Sequence, residues 1–563
     1  MGAQSRLPDF ESLVAESLAM LQRLGFTAQR LPLLERPVPC VLEVLERRRV
    51  PLAGVEGQSL LLDPVLSLQA RWQELPQAAR AVPWRAGFEA TRVRSANLLG
   101  GHRAPVSHRL LGGVTMGGDA RDAFLEALLT AIESAARLGP GFTVRVGHSG
   151  IFQALIARRG FDHRMARVLE ENLPALREPA ERKALLTNLQ SERGHEGTER
   201  FYEDYRTLVA RANEAQVLGV FQGLLASMDL ESYEADTDLQ ALIGRLLEKT
   251  RWQRDCREVG AFISLLESEA AAPCAVSDSA AMRELLQAEA EPAGVELFDA
   301  LCAALGEAQE LLDVEGVALE LTLLPGNRGG YYQGPMFEIL DAEGHELGNG
   351  GRVLWLLAED ARPAGAAGPT SESPLCHAFA LSLDRLEAAQ SAEGVTQVPG
   401  PMGEAVTWPR LLVAAVGEAV APEARRAWWS LFWNLPAGDV CFDLAHRPLK
   451  RLFKAAAAQG FTHVVMVGEE EARTGTLTVK RLDDGHQATF SGAGPELQAF
   501  LFPDWADAER LWMEQAPDAA RREDEREAAL AAEEAASEAP TPKSAAAKKP
   551  AKRRREAEEE SAS

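Results

Sequence analysis

Residues 327–340 read NRGGYYQGPMFEIL: an arginine, two glycines, a tyrosine pair, a third glycine, a proline, and an apolar run containing Glu338. Core packing alone rarely selects that mixture. Glycine lets a backbone pass close to a ligand or adopt positive φ, and tyrosine offers a flat apolar face tipped with a hydroxyl. The stretch reads as a binding loop leading into a strand, and it directly follows VALELTLL (317–324), itself a strand pattern. Taken by themselves, Tyr331 and Tyr332 read as strand residues, one packed and one exposed; Arg328 and the glycines beside them bring in the ligand-facing reading.

Upstream, SLVAESLAMLQRLGF (12–26) carries apolar residues at helical spacing and stops at Gly25. LPLLERP (31–37) and SLLLDP (59–64) read as short segments closed by proline. DAFLEALLTAIESAARLG (122–139) predicts an amphipathic helix ended by glycine, with FTVRVG (142–147) as the next strand. From about 160 to 312 the pattern is largely helical, as in RMARVLEENLPAL (164–176) and LQALIGRLLEKTRW (239–252), and part of it reads as an insertion. Leu297, Leu301, Leu305, Ala308 and Leu312 form one stripe on its last helix. After the linker ARPAGAAGPTSESP (361–374) comes HAFALSLDRLEAA (377–389), and VTQVPGPMGEAVTWP (395–409) closes the core. An α/β unit follows: helix PLKRLFKAAAAQG (448–460), strand THVVMVG (462–468), and GTLTVKRL (475–482) joined through a DDG turn to HQATFSG (486–492). This gives an α+β core over 1–400, an α/β domain over 405–505 and a tail over 516–563. Between Ala516 and Glu538 eight acids face three arginines, a composition expected to be disordered.

Composition narrows the classes. The chain has 563 residues, 46% of them apolar and 25% charged, as in an ordinary soluble protein of several domains. No apolar run approaches the roughly 20 residues of a membrane span. The N-terminus lacks a signal-peptide pattern, which leads us to expect a cytoplasmic protein with no membrane contact. The six cysteines are widely spaced with no CxxC pair, so neither a metal nor another cofactor is expected. A net charge of −24 argues against phosphate binding by the whole surface. The tail cluster Lys548, Lys549, Lys552 and Arg553 to Arg555, flanked by Glu556 and Glu558 to Glu560, reads either as a nucleic-acid contact or as a solvated run.

In order, these pieces resemble a class II aminoacyl-tRNA synthetase core of the histidyl type. LQRLGFTAQRLPLLER (21–36) resembles its first helix and motif 1 strand, the usual dimer element. LLLDPVLSLQAR (60–71) resembles the "RPDxT" loop, and SHRLLGGVTMGG (107–118) falls where motif 2 continues. NRGGYYQGPMFE (327–338) resembles the histidine-pocket loop "RGxxYYTGxxFE", LGNGGRV (347–353) the "GGRYD" strand, and FALSLDRL (379–386) motif 3. FKAAAAQGFTHVVMVGEEEARTGTLTVKRLDDGHQ (453–487) resembles the anticodon-binding domain. The likeness implies an antiparallel-sheet core with a helical insertion, a homodimer, and a histidine-like pocket built from Asp63, Arg328, Tyr331, Tyr332 and Glu338, with Arg385 facing a nucleotide. Read from local sequence alone, Asp63 before Pro64 is more often a turn or cap residue, and Arg385 a surface ion-pair partner of nearby acids. His148 between two glycines reads as a structural histidine ending a strand, because no triad can be placed around it.

The departures from the synthetase pattern bear on activity. In register with Gly113 and Gly118, the motif 2 arginine, glutamine and glutamate of the family are matched by Pro105, Leu111 and Thr115. The "RPDxT" arginine and threonine are Leu61 and Val65, and three motif 3 glycines are Ala378, Ala380 and Ser382. A neutral side chain cannot replace a guanidinium fork on a phosphate, and loss of one preorganised electrostatic contact commonly costs about a hundredfold in rate. Adenylate formation is therefore not expected. A synthetase-derived family with such losses is the regulatory subunit of ATP phosphoribosyltransferase, which resemblance implies a catalytic phosphoribosyltransferase subunit as partner and histidine as effector. RVGHSGIFQALI (145–156) resembles that family's "lGHvGifraLl" segment. The alternative is an inactive synthetase-like protein that binds RNA or a protein, with RNA contact through the C-terminal domain and tail.

Overall fold

The computed structural model describes residues 10–31, 34–35, 54–55, 58–60, 64–76, 83–94, 106–139, 141–191, 239–312, 317–326, 332–353, 375–390, 408–435 and 438–502. The tail and the 361–374 linker lie outside them. Helix α1 (Phe10–Arg23) leads to β1 (Thr27–Arg30), the short strands β2 (Leu34–Glu35), β3 (Gly54–Val55) and β4 (Gln58–Leu60), and α2 (Pro64–Glu74). The long strands β5 (Trp84–Arg94) and β6 (Val106–Met116) precede α3 (Ala120–Leu138) and β7 (Thr143–His148). A helical stretch comes next, with α4 (Ser149–Arg159), α5 (His163–Glu171), α6 (Leu173–Arg177), α7 (Pro179–Ser191) and α8 (Leu239–Leu266). The two-residue strand β8 (Cys274–Ala275), α9 (Ala280–Glu289) and α10 (Pro292–Leu311) end it. β9 (Ala318–Leu321), β10 (Tyr332–Leu340), β11 (Glu346–Val353), β12 (Cys376–Ser382) and α11 (Leu383–Gln390) close the core.

The large sheet has the order β1-β5-β6-β12-β11-β10-β7-β9-β8. Pairing is antiparallel from β5 through to β7, whereas β1 joins β5 and β9 joins β7 in parallel. One face carries the helices. Residues 10, 13, 14, 17, 20 and 21 of α1 are buried, the i, i+3, i+4, i+7 spacing that turns one helical stripe inward. The helix ends where Gly25 takes φ 90°, a value glycine reaches without a Cβ penalty. The pattern of α3 predicts an amphipathic helix, but every residue from Asp122 to Ala135 is buried. Asp122 and Glu126 meet partners on other elements rather than water, so the alternation visible in sequence marks a second contact surface.

The C-terminal elements are β13 (Arg410–Ala415), α12 (Ala421–Asn434), β14 (Asp439–Phe442), α13 (Leu449–Ala458), β15 (His463–Val467), α14 (Glu469–Thr474), β16 (Leu477–Arg481), β17 (Gln487–Phe490) and α15 (Pro495–Leu501). They build a five-stranded sheet, β14-β13-β15-β16-β17. Its β16 and β17 pair antiparallel, as their flanking turn predicts.

A polar seam joins this domain to the core. Arg425 of α12 donates to both carboxylate oxygens of Glu307 on α10 and to Asp122 on α3. Asp122 also meets His446 Nε2 at 2.6 Å, and Arg121 reaches Glu307 at 2.9 Å. The Asp122 hydrogen bond raises the His446 pKa above its ordinary value. Nearby, Glu126 accepts from Arg85 at 2.8 Å and from Thr115 at 3.0 Å, while Arg85 also donates to the Phe442 carbonyl. Arg23 caps the end of α12 through the Phe432 and Leu435 carbonyls at 3.0 and 3.1 Å. Among the described residues no helix is long and apolar enough to cross a membrane.

Candidate functional site

The face of the sheet opposite α1 and α3 holds Tyr332 and Glu338, two of the residues that the sequence singles out. Because side chains alternate across a strand, Met336 and Glu338 of β10 share that face, and their cross-strand partners are Gly351 and Asn349 on β11 and Gly147 and Arg145 on β7. Tyr332 and Met336 pack there with Val353, Cys376, Ala378, Val114, Met116, Phe88 and the buried side of α2.

The site divides into two halves. Over β5, β6 and β12 it is apolar: Ala86, Phe88, Ala90, Leu110, Val114, Met116, Cys376, Ala378 and Ala380 lie against Val65, Leu66, Leu68 and Trp72. Over β10, β11 and β7 it is polar. Tyr332 donates its hydroxyl to Asn349 Oδ1, Asn349 donates to the Glu346 carboxylate, and Arg385 donates to the Glu346 carbonyl. Arg145 donates to Glu320 at 2.9 Å. Arg177, at the end of α6, donates from one nitrogen to both oxygens of Glu338, at 2.7 and 2.6 Å. His148 accepts from the Gly150 amide through Nδ1 and caps α4, the structural role read from sequence. Burial and the neighbouring Arg352 charge push its pKa down to about 4, so it is neutral near pH 7.

One expectation is corrected. Leu111 and Thr115 do not face this site. Leu111 packs in the core on the helix side, and Thr115 donates to Glu126 on α3. The residues of β6 that face the site are Leu110, Val114 and Met116. Gly112 and Gly113 mark packing rather than ligand approach: a Cβ on Gly112 would stand 2.3 Å from the Phe379 carbonyl oxygen, and one on Gly113 would stand 2.7 Å from the Phe379 ring.

Of the expected pocket residues, Tyr332 and Glu338 share one face and Arg385 is tied to the end of β11. Asp63, Arg328 and Tyr331 lie outside the described residues, as do Leu61 and Pro105. Sequence reasoning missed Arg177. Its only local signal is a charge closing a short apolar segment, LPALR, 161 positions from its partner.

Residues 412–493 match the anticodon binding domain family. Curated relatives of the chain include the histidine–tRNA ligase of Anoxybacillus flavithermus, 31% identical over 188 residues, which is 32% of this chain and 40% of that protein. That of Geobacillus kaustophilus is 35% identical over 162 residues, 28% of this chain and 34% of the other. The chain thus spans well under two thirds of the length of the curated relatives it matches. Among solved structures, an ATP phosphoribosyltransferase regulatory subunit/histidyl-tRNA synthetase from Bacillus halodurans aligns over 84% of this chain and 92% of its own, at 16% identity and a TM-score of 0.40. The protein is a mixed α/β chain with a large sheet and an anticodon-binding-type domain, similar to histidine–tRNA ligases.

Proposed function

We propose that this protein does not charge tRNA and serves as a regulatory subunit of ATP phosphoribosyltransferase, sensing histidine through the polar half of the site. One observation carries the reading. Where an adenylate-forming site needs cationic donors for phosphate, the central site-facing positions of β6 and β12 present Leu110, Val114, Met116, Ala378 and Ala380, packed beneath α2, and the basic positions of that face, His108 on β6 with Arg92 and Arg94 on β5, stand beyond Leu110 toward the strand ends. Apolar side chains offer a triphosphate neither charge nor hydrogen bonds, and burying its charge against them is strongly unfavourable. The polar half keeps an acid, Glu338, and a tyrosine and asparagine in hydrogen-bonded order, suited to a small zwitterion. Histidine would bind the two states of an assembled complex with different affinity, and that difference would set the activity of the catalytic subunit.

The test is calorimetric titration of the full chain with histidine, alone and with a short-form catalytic phosphoribosyltransferase, alongside histidine-dependent pyrophosphate exchange. Heat on titration with no exchange is expected; exchange at a useful rate, or no heat in either titration, overturns the reading. The second reading, an RNA-binding relative without catalysis, is favoured by the anticodon-type domain at 412–493. It requires salt-sensitive complexes with tRNA in a gel shift, with the slope set by the number of phosphates neutralised.

A further inference from the structure

From the Arg177–Glu338 contact we infer that Glu338 is the anchor of a subsite for a cationic ligand group, an ammonium or imidazolium, and that Arg177 is its resident competitor. This rests on the reading of the polar half as a ligand site, and it adds the class of group bound there and a contact that must break first.

Three features combine. Glu338 sits on the ligand-facing side of the sheet between Asn349 and Arg145, its cross-strand neighbours. It is the deeper member of the pair, with its side chain 6% exposed against 23% for Arg177. Among the described residues the arginine meets it through one nitrogen alone rather than the two-pronged fork that guanidinium and carboxylate form when their geometry is optimised. Gly326, the last described residue before the loop that opened the sequence reading, presses on the pair. A Cβ there would lie 1.6 Å from Glu338 Oε1 and 2.6 Å from Arg177 Nη1. The backbone at Gly326 therefore lies directly against this carboxylate.

A buried acid needs a cation. Here an internal one fills the place, carried at the end of the five-residue helix α6. A ligand cation entering beside β10 would take over the Glu338 oxygens and release Arg177, and with it the junction between α6 and α7. Apparent affinity falls by the fraction of molecules in which the acid is free, so removing the competitor raises it.

The experiment compares full-length wild type, Arg177→Gln, Arg177→Lys and the double variant Arg177→Gln/Glu338→Gln, titrated calorimetrically with histidine, histamine and imidazole near pH 6, with near-ultraviolet circular dichroism reporting the fold. Arg177→Gln is expected to bind histamine at least tenfold more tightly than wild type, with Arg177→Lys between them and the double variant losing the gain. Equal or weaker binding by Arg177→Gln overturns the inference. Should Arg177→Gln fail to fold, Arg177→Lys against wild type decides by the same criterion. If histamine gains and histidine binds none of the variants, the cation subsite stands and the histidine-sensor reading falls; if histidine binds wild type and Arg177→Gln alike, the reverse holds.

Discussion

At the seam between the core and the C-terminal domain, the side chains of Asp122, Glu307 and Arg425 are each at most 6% exposed, and every one of them is paired. On the face of β6 and β12 turned away from α1 and α3, Leu110, Val114, Met116, Cys376 and Ala378 pack as an apolar cluster. The two regions show where this sequence concentrates its ionic contacts. Paired charges fix how two domains sit together, while the opposite face of the sheet is packed with hydrocarbon at its centre. An isolated domain of the anticodon type would leave Arg425 facing water, so the seam reports a docking the sequence is built to keep.

Three changes probe that contrast. The largest effect is expected from Arg425→Met, which removes the cation shared by Asp122 and Glu307 and leaves them with His446 and Arg121 alone. Removing one member of a buried ion network typically costs about 3–5 kcal/mol, read as a lowered denaturation midpoint of the full chain. A loss under about 1 kcal/mol would mean that the seam is held by its apolar contacts instead.

The next is a pH dependence with a definite sign. The folded pKa of His446 lies above 6.5, so its contribution is complete below pH 6.5 and is lost as the pH rises through the folded value. The groups facing it are Asp122 and Asp119 from the core side and Asp443 from its own loop. His148 and His377 act oppositely. Burial lowers them to about 4 and about 3, so their contribution is present above pH 6.5 and is lost as the pH falls toward those values. Denaturation at pH 5, 6.5 and 8.5 is expected to be most favourable to the fold near the middle value, and His446→Gln is expected to flatten the alkaline limb alone. An unchanged alkaline limb in that variant would separate the histidine from the docking.

The smallest effect belongs to Glu320→Gln. Its pair with Arg145 is about one third exposed on both sides, and such pairs contribute about 0–1 kcal/mol. A larger loss would show that the polar half of the site carries stability as well as chemistry.

What could be read from sequence follows from the range over which each signal acts. The end of α1 at Gly25 and the pairing of β16 with β17 depend on a few adjacent residues, and both match their local patterns. The face of β6 was less legible. RLLGGVTMGG lacks the strict apolar–polar alternation that fixes a register, and a shift of one residue moves every side chain across the sheet. Leu111 and Thr115 were exchanged in this way for Leu110, Val114 and Met116. Asp122, Glu307 and Arg425 look like solvated helix positions in one dimension, because their partners lie on elements more than a hundred residues apart. Arg177 is hidden for the same reason. Only the folded sheet brings it to Glu338.

Cys441 on β14 is a free, buried thiol whose Sγ would lie 2.4 Å from a Cβ at Gly25, and burial pushes its pKa up to about 12. In that state it is almost entirely protonated and shielded from reagents. A thiol-reactive dye can therefore reach it only once the packing of Gly25 and of Leu412, Ala414, Leu452 and Ala456 around it opens, and its labelling rate, followed apart from that of the more exposed Cys274 and Cys302, becomes a natural stopwatch for that opening.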